Sequence, residues 1–189
     1  LTRLVLTNAI YFNAAWQYPF DEDATKDGPF HLLDGGEVTV PMMRQGKSLG
    51  CAEGEGYQAV ELPYDGRQLS MLILLPRAGR FETFEKSLDT QRVNDILKNL
   101  ASRQVALTMP RFEFESSFSL GETLAAMGMA DAFSNADFSG MTGSRDLFIA
   151  DVVHKAFVSV DEDGTEAAAA TAVIMPTSGP PGTTVEVTI

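Results

Sequence analysis

At 189 residues the chain is long enough for one sizeable core, and 44% hydrophobic content places it among globular rather than disordered sequences. Its net charge of -12, from 26 acidic against 14 basic residues, argues against nucleic acid and anionic membranes as partners, since both reward basic patches. A single cysteine, Cys51, excludes an internal disulfide framework and a cysteine-built metal site, and no apolar run approaches the ~20 residues that span a bilayer.

The chain opens inside an apolar strand pattern, with neither an initiating Met nor a signal-peptide architecture, and stops inside another, TVEVTI at residues 184–189. It therefore reads as a segment incomplete at both ends. Residues 4–12 are apolar almost throughout, which predicts a strand buried on both faces. Asn8 interrupts that run, and a buried amide needs hydrogen-bond partners. Residues 21–28 read as an acidic, turn-forming connection. FHLL at 30–33, then Asp34, Gly35 and Gly36, then VTV at 38–40 predict a hairpin. A second hairpin is predicted over residues 57–75, turning at Tyr64, Asp65, Gly66 and Arg67.

Residues 80–100 show helical spacing in Phe81, Phe84 and Leu88, and again in Val93, Ile96 and Leu97. Val105, Leu107 and Met109 alternate as a strand that continues past Pro110 into Phe112 and Phe114. Ser119 and Glu122 have capping-box spacing ahead of Leu120, Leu124 and Met127, with Gly128 as the stop. Residues 147–160 return to strand. There is no internal repeat and no domain linker.

Residues 164–182 change character halfway. Gly164 and Thr165 lead into four alanines, whereas Pro176, Gly179, Pro180, Pro181 and Gly182 favour exposed, non-helical backbone. The alanine run is too short to hold a helix unaided and has no apolar stripe to dock one. At strand period, one face carries Thr165, Ala167, Ala169, Thr171, Val173 and Met175, all uncharged. Such a ribbon suits insertion into a sheet over a packed core; a flexible alanine-rich linker is the alternative.

Catalytic patterns are weak. GKSLG at 46–50 fits the G-x-S-x-G nucleophile elbow, and His154 lies downstream in hydrolase order. The elbow needs a helix after its serine, and CAEGEGY at 51–57 is poor helix. His31 and His154 lack a helical histidine partner or a local cysteine ligand, so no metal site is expected. Asp161, Glu162 and Asp163 suit a turn better than acid–base work.

Three stretches carry a family likeness: LTNAIYF at 6–12 with Trp16, ADFSGM at 136–141, and VVHKAFVSVDEDGTEAAAAT at 152–171. In this order they resemble the serpin family, and the likeness runs through nearly the whole chain. Asn13 and Ala14 depart from the basic and glycine residues common there. The resemblance implies an α+β fold of large mixed β-sheets with surrounding helices, of which residues 1–189 form a single partial domain. It also implies a protease inhibitor rather than an enzyme, with no catalytic residue and no cofactor.

Carried over by residue, the likeness makes 164–182 the hinge and reactive-centre loop. The hinge comprises Glu162, Gly164, Thr165, Glu166, Ala167, Ala168, Ala169 and Ala170. Asn8 and His154 match the polar pair of the region called the shutter, and Trp16 matches the aromatic near the top of the opening, the breach. Family spacing from Gly164 puts the scissile bond between Ser178 and Gly179, with Thr177 and Gly179 as adjoining alternatives for its first residue.

The expected partner is a target protease: an elastase- or subtilisin-like serine protease, since the loop holds no Arg or Lys, with a cysteine protease as a second class. Neither nucleic acid nor membrane is an expected partner. The missing N- and C-terminal serpin segments are, and an extracellular location follows from the resemblance alone. A non-inhibitory serpin, used for binding, storage or as a chaperone, is the alternative.

Overall fold

The computed structural model of the chain describes residues 3–165 and 183–189. In chain order the strands are β1 (Arg3–Ile10), β2 (Ala14–Ala15), β3 (Lys26–His31), β4 (Glu37–Gly54), β5 (Tyr57–Pro63) and β6 (Ser70–Pro76). Helices α1 (Phe81–Lys86) and α2 (Thr90–Lys98) follow, then β7 (Ala101–Pro110) and β8 (Phe112–Ser119). Short helical segments α3 (Gly121–Leu124) and α4 (Ser139–Thr142) precede β9 (Phe148–Val160), β10 (Gly164–Thr165) and β11 (Val185–Thr188). The contacts divide the chain into two compact units, Leu1–Phe12 with Glu113–Ser159, and Asn13–Phe112 with Val160–Ile189.

The second unit is built on a sheet in the order β11-β7-β4-β5-β6, with β3 also paired to β4. Both predicted hairpins form. Gly35 takes φ +87° at the β3–β4 turn, a conformation that only glycine adopts cheaply. Strand β4 is long enough to pair β3, β7 and β5 along its length. The alternating Val105, Leu107 and Met109 are almost wholly buried, as are Met43, Val60 and Val187. Burying each such side chain contributes about 1.5–3 kcal/mol. Phe84 of α1 and Ile96 of α2 pack with Ala52 and Ala59 of the sheet. The two helices are separate because Asp89 caps the second, its carboxylate accepting from the Arg92 N–H at 2.7 Å.

In the first unit β1 runs parallel to β9, from Arg3 opposite Phe148 to Ile10 opposite Ala156 with the register shifting by one residue between Leu4 and Val5, and β8 also pairs β9. Leu147, Ile149 and Val152 are buried, but Val5 and Ile10 on β1 are 54% and 65% exposed. The expectation that residues 4–12 are buried on both faces is therefore corrected. Parallel strands need a layer on each face, and the described residues of this unit do not supply it over β1. The expected capping box at Ser119 is also overturned. Ser119 stays extended at the end of β8 and donates its hydroxyl to Asp151 Oδ1 at 2.6 Å, so α3 begins without a side-chain cap. A charged acceptor on the paired strand outcompetes the capping role. Gly128 does mark a stop, at φ +108°. The run through Pro110 is two strands rather than one, interrupted where the Arg111 N–H bonds the Pro41 carbonyl at 2.9 Å.

Candidate functional site

Strand β9 ends at Val160 and reverses through an acidic turn. Asp161 accepts hydrogen bonds from the Asp163 and Gly164 N–H groups, both at 3.0 Å, and its own N–H donates to the Gly164 carbonyl at 3.0 Å. Aspartate folds its carboxylate over the following backbone in this way, so the local sequence accounts for the reversal. The turn delivers Thr165 into a strand position, antiparallel to Val160 on one side and to Ala14 of β2 on the other. Thr165, expected from sequence to be a hinge residue, is thus already a sheet residue, and it is 5% exposed.

Trp16 holds this turn from beside it. Its backbone N–H donates to the Asp163 carbonyl at 2.8 Å and its indole Nε1 to the Asp161 carbonyl at 3.0 Å. The indole stacks on Tyr64 with centroids 4.6 Å apart and planes within 10°, an arrangement worth about 0.5–1.5 kcal/mol beyond its buried area. The Tyr64 hydroxyl lies 2.8 Å from the Thr165 hydroxyl in a hydrogen bond buried from water. Burial pushes the Tyr64 phenol above its ordinary value of 10.0, and the bond to Thr165 offsets part of that rise.

Glu162 is buried as well, and a buried carboxylate is unfavourable unless partnered. It accepts from the Thr25 hydroxyl at 2.7 Å and faces the Arg111 guanidinium at 3.7 Å. Its backbone carbonyl takes the Phe20 N–H at 2.9 Å. Trp16, far away in sequence, therefore meets Glu162, Gly164 and Thr165 in one cluster. Tyr64, Thr25 and Arg111 complete it and were not singled out from sequence. Tyr64 reads locally as the start of a hairpin turn, and nothing near it in sequence indicates a partner at Thr165.

In the other unit Asn8 and His154 are register partners across β1 and β9, with Asn8 Oδ1 3.1 Å from His154 Nδ1. Glu166, Ala167, Ala168, Ala169, Ala170, Ser178 and Gly179 lie outside the described residues. Ser48 sits inside β4 rather than at a strand-to-helix turn, and its hydroxyl bonds that of Ser102 at 2.9 Å, so the nucleophile-elbow pattern does not form an elbow. His31 faces Glu37 at 3.5 Å on the surface, and among the described residues no group of three or more His, Cys, Asp or Glu is arranged for a metal. Among the same residues no helix is long and apolar enough to cross a membrane.

The family model described as serpin (serine protease inhibitor) matches residues 1–189. An uncharacterised serpin-like protein of Thermococcus kodakarensis is 47% identical, over 95% of this chain and 42% of its own length. The leukocyte elastase inhibitor of Sus scrofa is also 47% identical, over 92% of this chain and 48% of that protein. Human thyroxine-binding globulin superposes with a TM-score of 0.82 at 32% identity, covering 96% of this chain and 49% of the other. The chain thus spans about half the length of the curated relatives it matches. A match along the whole chain, on a fold of mixed sheets and flanking helices, makes this chain a member of the serpin family.

Proposed function

We propose that this chain, within a polypeptide of the length of its relatives, acts as a suicide-substrate protease inhibitor. It forms a single partial serpin domain in which residues 164–182 are the hinge and reactive-centre loop. The protease's nucleophilic hydroxyl attacks the Ser178 carbonyl and gives up its proton, the bond to Gly179 breaks, and the Gly179 amine leaves with that proton while the Ser178 acyl group stays on the protease as an ester. The freed loop enters the sheet as a new strand, starting at Thr165 and parting β1 from β9. Serpin loop insertion is itself a known form of strand addition, driven by main-chain hydrogen bonds that the exposed loop lacks.

The observation that carries this reading is Thr165, buried and strand-paired on both sides at the start of the loop. The uncharged face that follows it in sequence supports continued insertion. The parallel pairing of β1 with β9, latched by Asn8 and His154, is where the strands would part. The target is an elastase- or subtilisin-like serine protease, a choice favoured by the loop's lack of Arg and Lys and by the leukocyte elastase inhibitors among the relatives.

The test is to incubate the full-length polypeptide with such proteases and look for denaturant-stable complexes. Thr165→Arg and Ala167→Arg should leave the loop cleavable but abolish complexes, because an unpartnered charge would be buried. Complexes formed equally by those variants would rule out insertion as the mechanism. A second reading, a non-inhibitory serpin that binds a small ligand, is favoured by the likeness to thyroxine-binding globulin. Thermal stability decides between them: a gain after loop cleavage supports insertion, and no gain supports the binding protein.

A further inference from the structure

The contacts around Tyr64 close into a circuit. Thr165 touches Tyr64 through the two hydroxyls, Tyr64 stacks on Trp16, and Trp16 holds the carbonyls of Asp161 and Asp163, which lead back along the chain to Thr165. Tyr64 is itself fixed. Its backbone N–H donates to the Leu69 carbonyl at 3.0 Å, its carbonyl accepts from Arg67 at 3.0 Å, and it bridges Trp16 as a strand position. Both side chains are buried, and a hydrogen bond made away from water is stronger than one made in it, so each hydroxyl favours the conformation that meets the other. The methyl of Thr165 could pack there without any hydroxyl; what the hydroxyl adds is direction and register.

We propose that Tyr64 is a positioning residue: its hydroxyl pins Thr165 as the first strand position, so that insertion of the loop starts from a register already set. The part of this that concerns trapping rests on the inhibitory function proposed above; the pinning itself does not. Without the hydroxyl, Thr165 leaves the sheet more often, the cut loop must find its register afresh, and hydrolysis of the acyl-enzyme gains time.

The experiment uses the full-length polypeptide with Tyr64→Phe, Thr165→Val, their combination, and Thr165→Ser. The first readout is native-state amide exchange at Trp16 and Gly164, whose N–H groups are held by Asp163 and Asp161, with the buried β7 amides at Val105 and Leu107 as controls. Tyr64→Phe and Thr165→Val should each speed exchange at Trp16 and Gly164 by about 2–10-fold, the worth of one net hydrogen bond, and leave β7 unchanged. The double variant should exchange no faster than either single one, because the two hydroxyls act as one contact. Thr165→Ser, which keeps the hydroxyl and drops the methyl, should stay near the unmodified rate. Unchanged exchange in Tyr64→Phe, additive effects in the double variant, or a Thr165→Ser as fast as Thr165→Val would each overturn the pin.

The second readout is the fraction of attacked protein trapped as complex, which should fall in Tyr64→Phe while the rate of first attack stays the same. An unaltered fraction despite faster exchange would overturn the role in insertion. If the unmodified protein traps no protease, the inhibitory function fails, and the exchange data still decide whether Tyr64 pins the hinge.

Discussion

The two compact units carry similar strand sequences but bury them to different degrees. In the unit Asn13–Phe112 with Val160–Ile189, Met43, Val60, Val105 and Leu107 are at most 1% exposed. In the other, the best-buried side chains are Leu147, Ile149 and Val152 at 5–8%, while Ile10, Phe114 and Phe118 are more than half exposed. One unit closes its own core with hairpins and two amphipathic helices. The other has strands whose apolar pattern calls for layers that its described residues do not supply. The strands that the proposed mechanism parts belong to the sparsely packed unit, and Thr165, from which the proposed insertion starts, belongs to the densely packed one. Moving elements are generally drawn from the less stable part of a fold.

Truncation is the harshest way to test that contrast. Leu107→Ala should lower the stability of this chain by about 2–5 kcal/mol, because the cavity lies in a closed core. Ile10→Ala should cost no more than ~0.5 kcal/mol, as at any exposed site. Urea titration of both variants checks the pair, and equal losses would dissolve the distinction between the units. Repeating Ile10→Ala in a polypeptide of the relatives' length sharpens it, since a larger loss there would show that β1 is covered in the longer polypeptide.

Glu162→Gln should cost about 1–3 kcal/mol by weakening its charge-assisted contacts with Thr25 and Arg111, read as a lower urea midpoint. His154→Ala removes a single exposed hydrogen bond and should cost about 0.5–1.5 kcal/mol. Its sharper consequence, in the full-length polypeptide, is faster heat-induced loop–sheet polymerisation, followed by native gel electrophoresis; an unchanged rate would remove the pair's role as a latch between strands.

The smallest effect concerns alkali. Burial raises the Tyr64 phenol above 10.0 in the folded state, so the unfolded chain ionises first. The stability tied to its neutral form is complete below pH 10 and is lost as pH climbs from there through the raised folded value. Cys51 behaves alike from 9.0 upward, its thiol raised by burial and by Glu53 and partly relieved by Arg103. Tyr64→Phe should remove the later part of this alkaline loss and leave the earlier part, as followed by thermal melts against pH.

Much of the densely packed unit was legible in the sequence. Val105, Leu107 and Met109 alternate at strand period, and the glycine-bearing turns at 34–36 and 64–67 mark hairpins by local chemistry alone. The misses arose where a partner outside the local window decided the outcome. Ser119 obeyed Asp151 instead of its own helix, and the burial of residues 4–12 depended on layers that no periodicity supplies. In the candidate site, family likeness drew attention to Trp16, Asn8, His154 and the hinge. Tyr64 and Thr25 stayed hidden because their partners, Thr165 and Glu162, lie more than a hundred residues away.

The contact between Asn8 and His154 also works as a ruler. Adjacent strands lie about 4.8 Å apart, so one additional strand between β1 and β9 would roughly double the distance between their backbones. A 3.1 Å link has no slack to follow that separation. The imidazole must then exchange its amide neighbour for another, and the nuclear resonance of this one ring would tell whether a given molecule has taken up the extra strand.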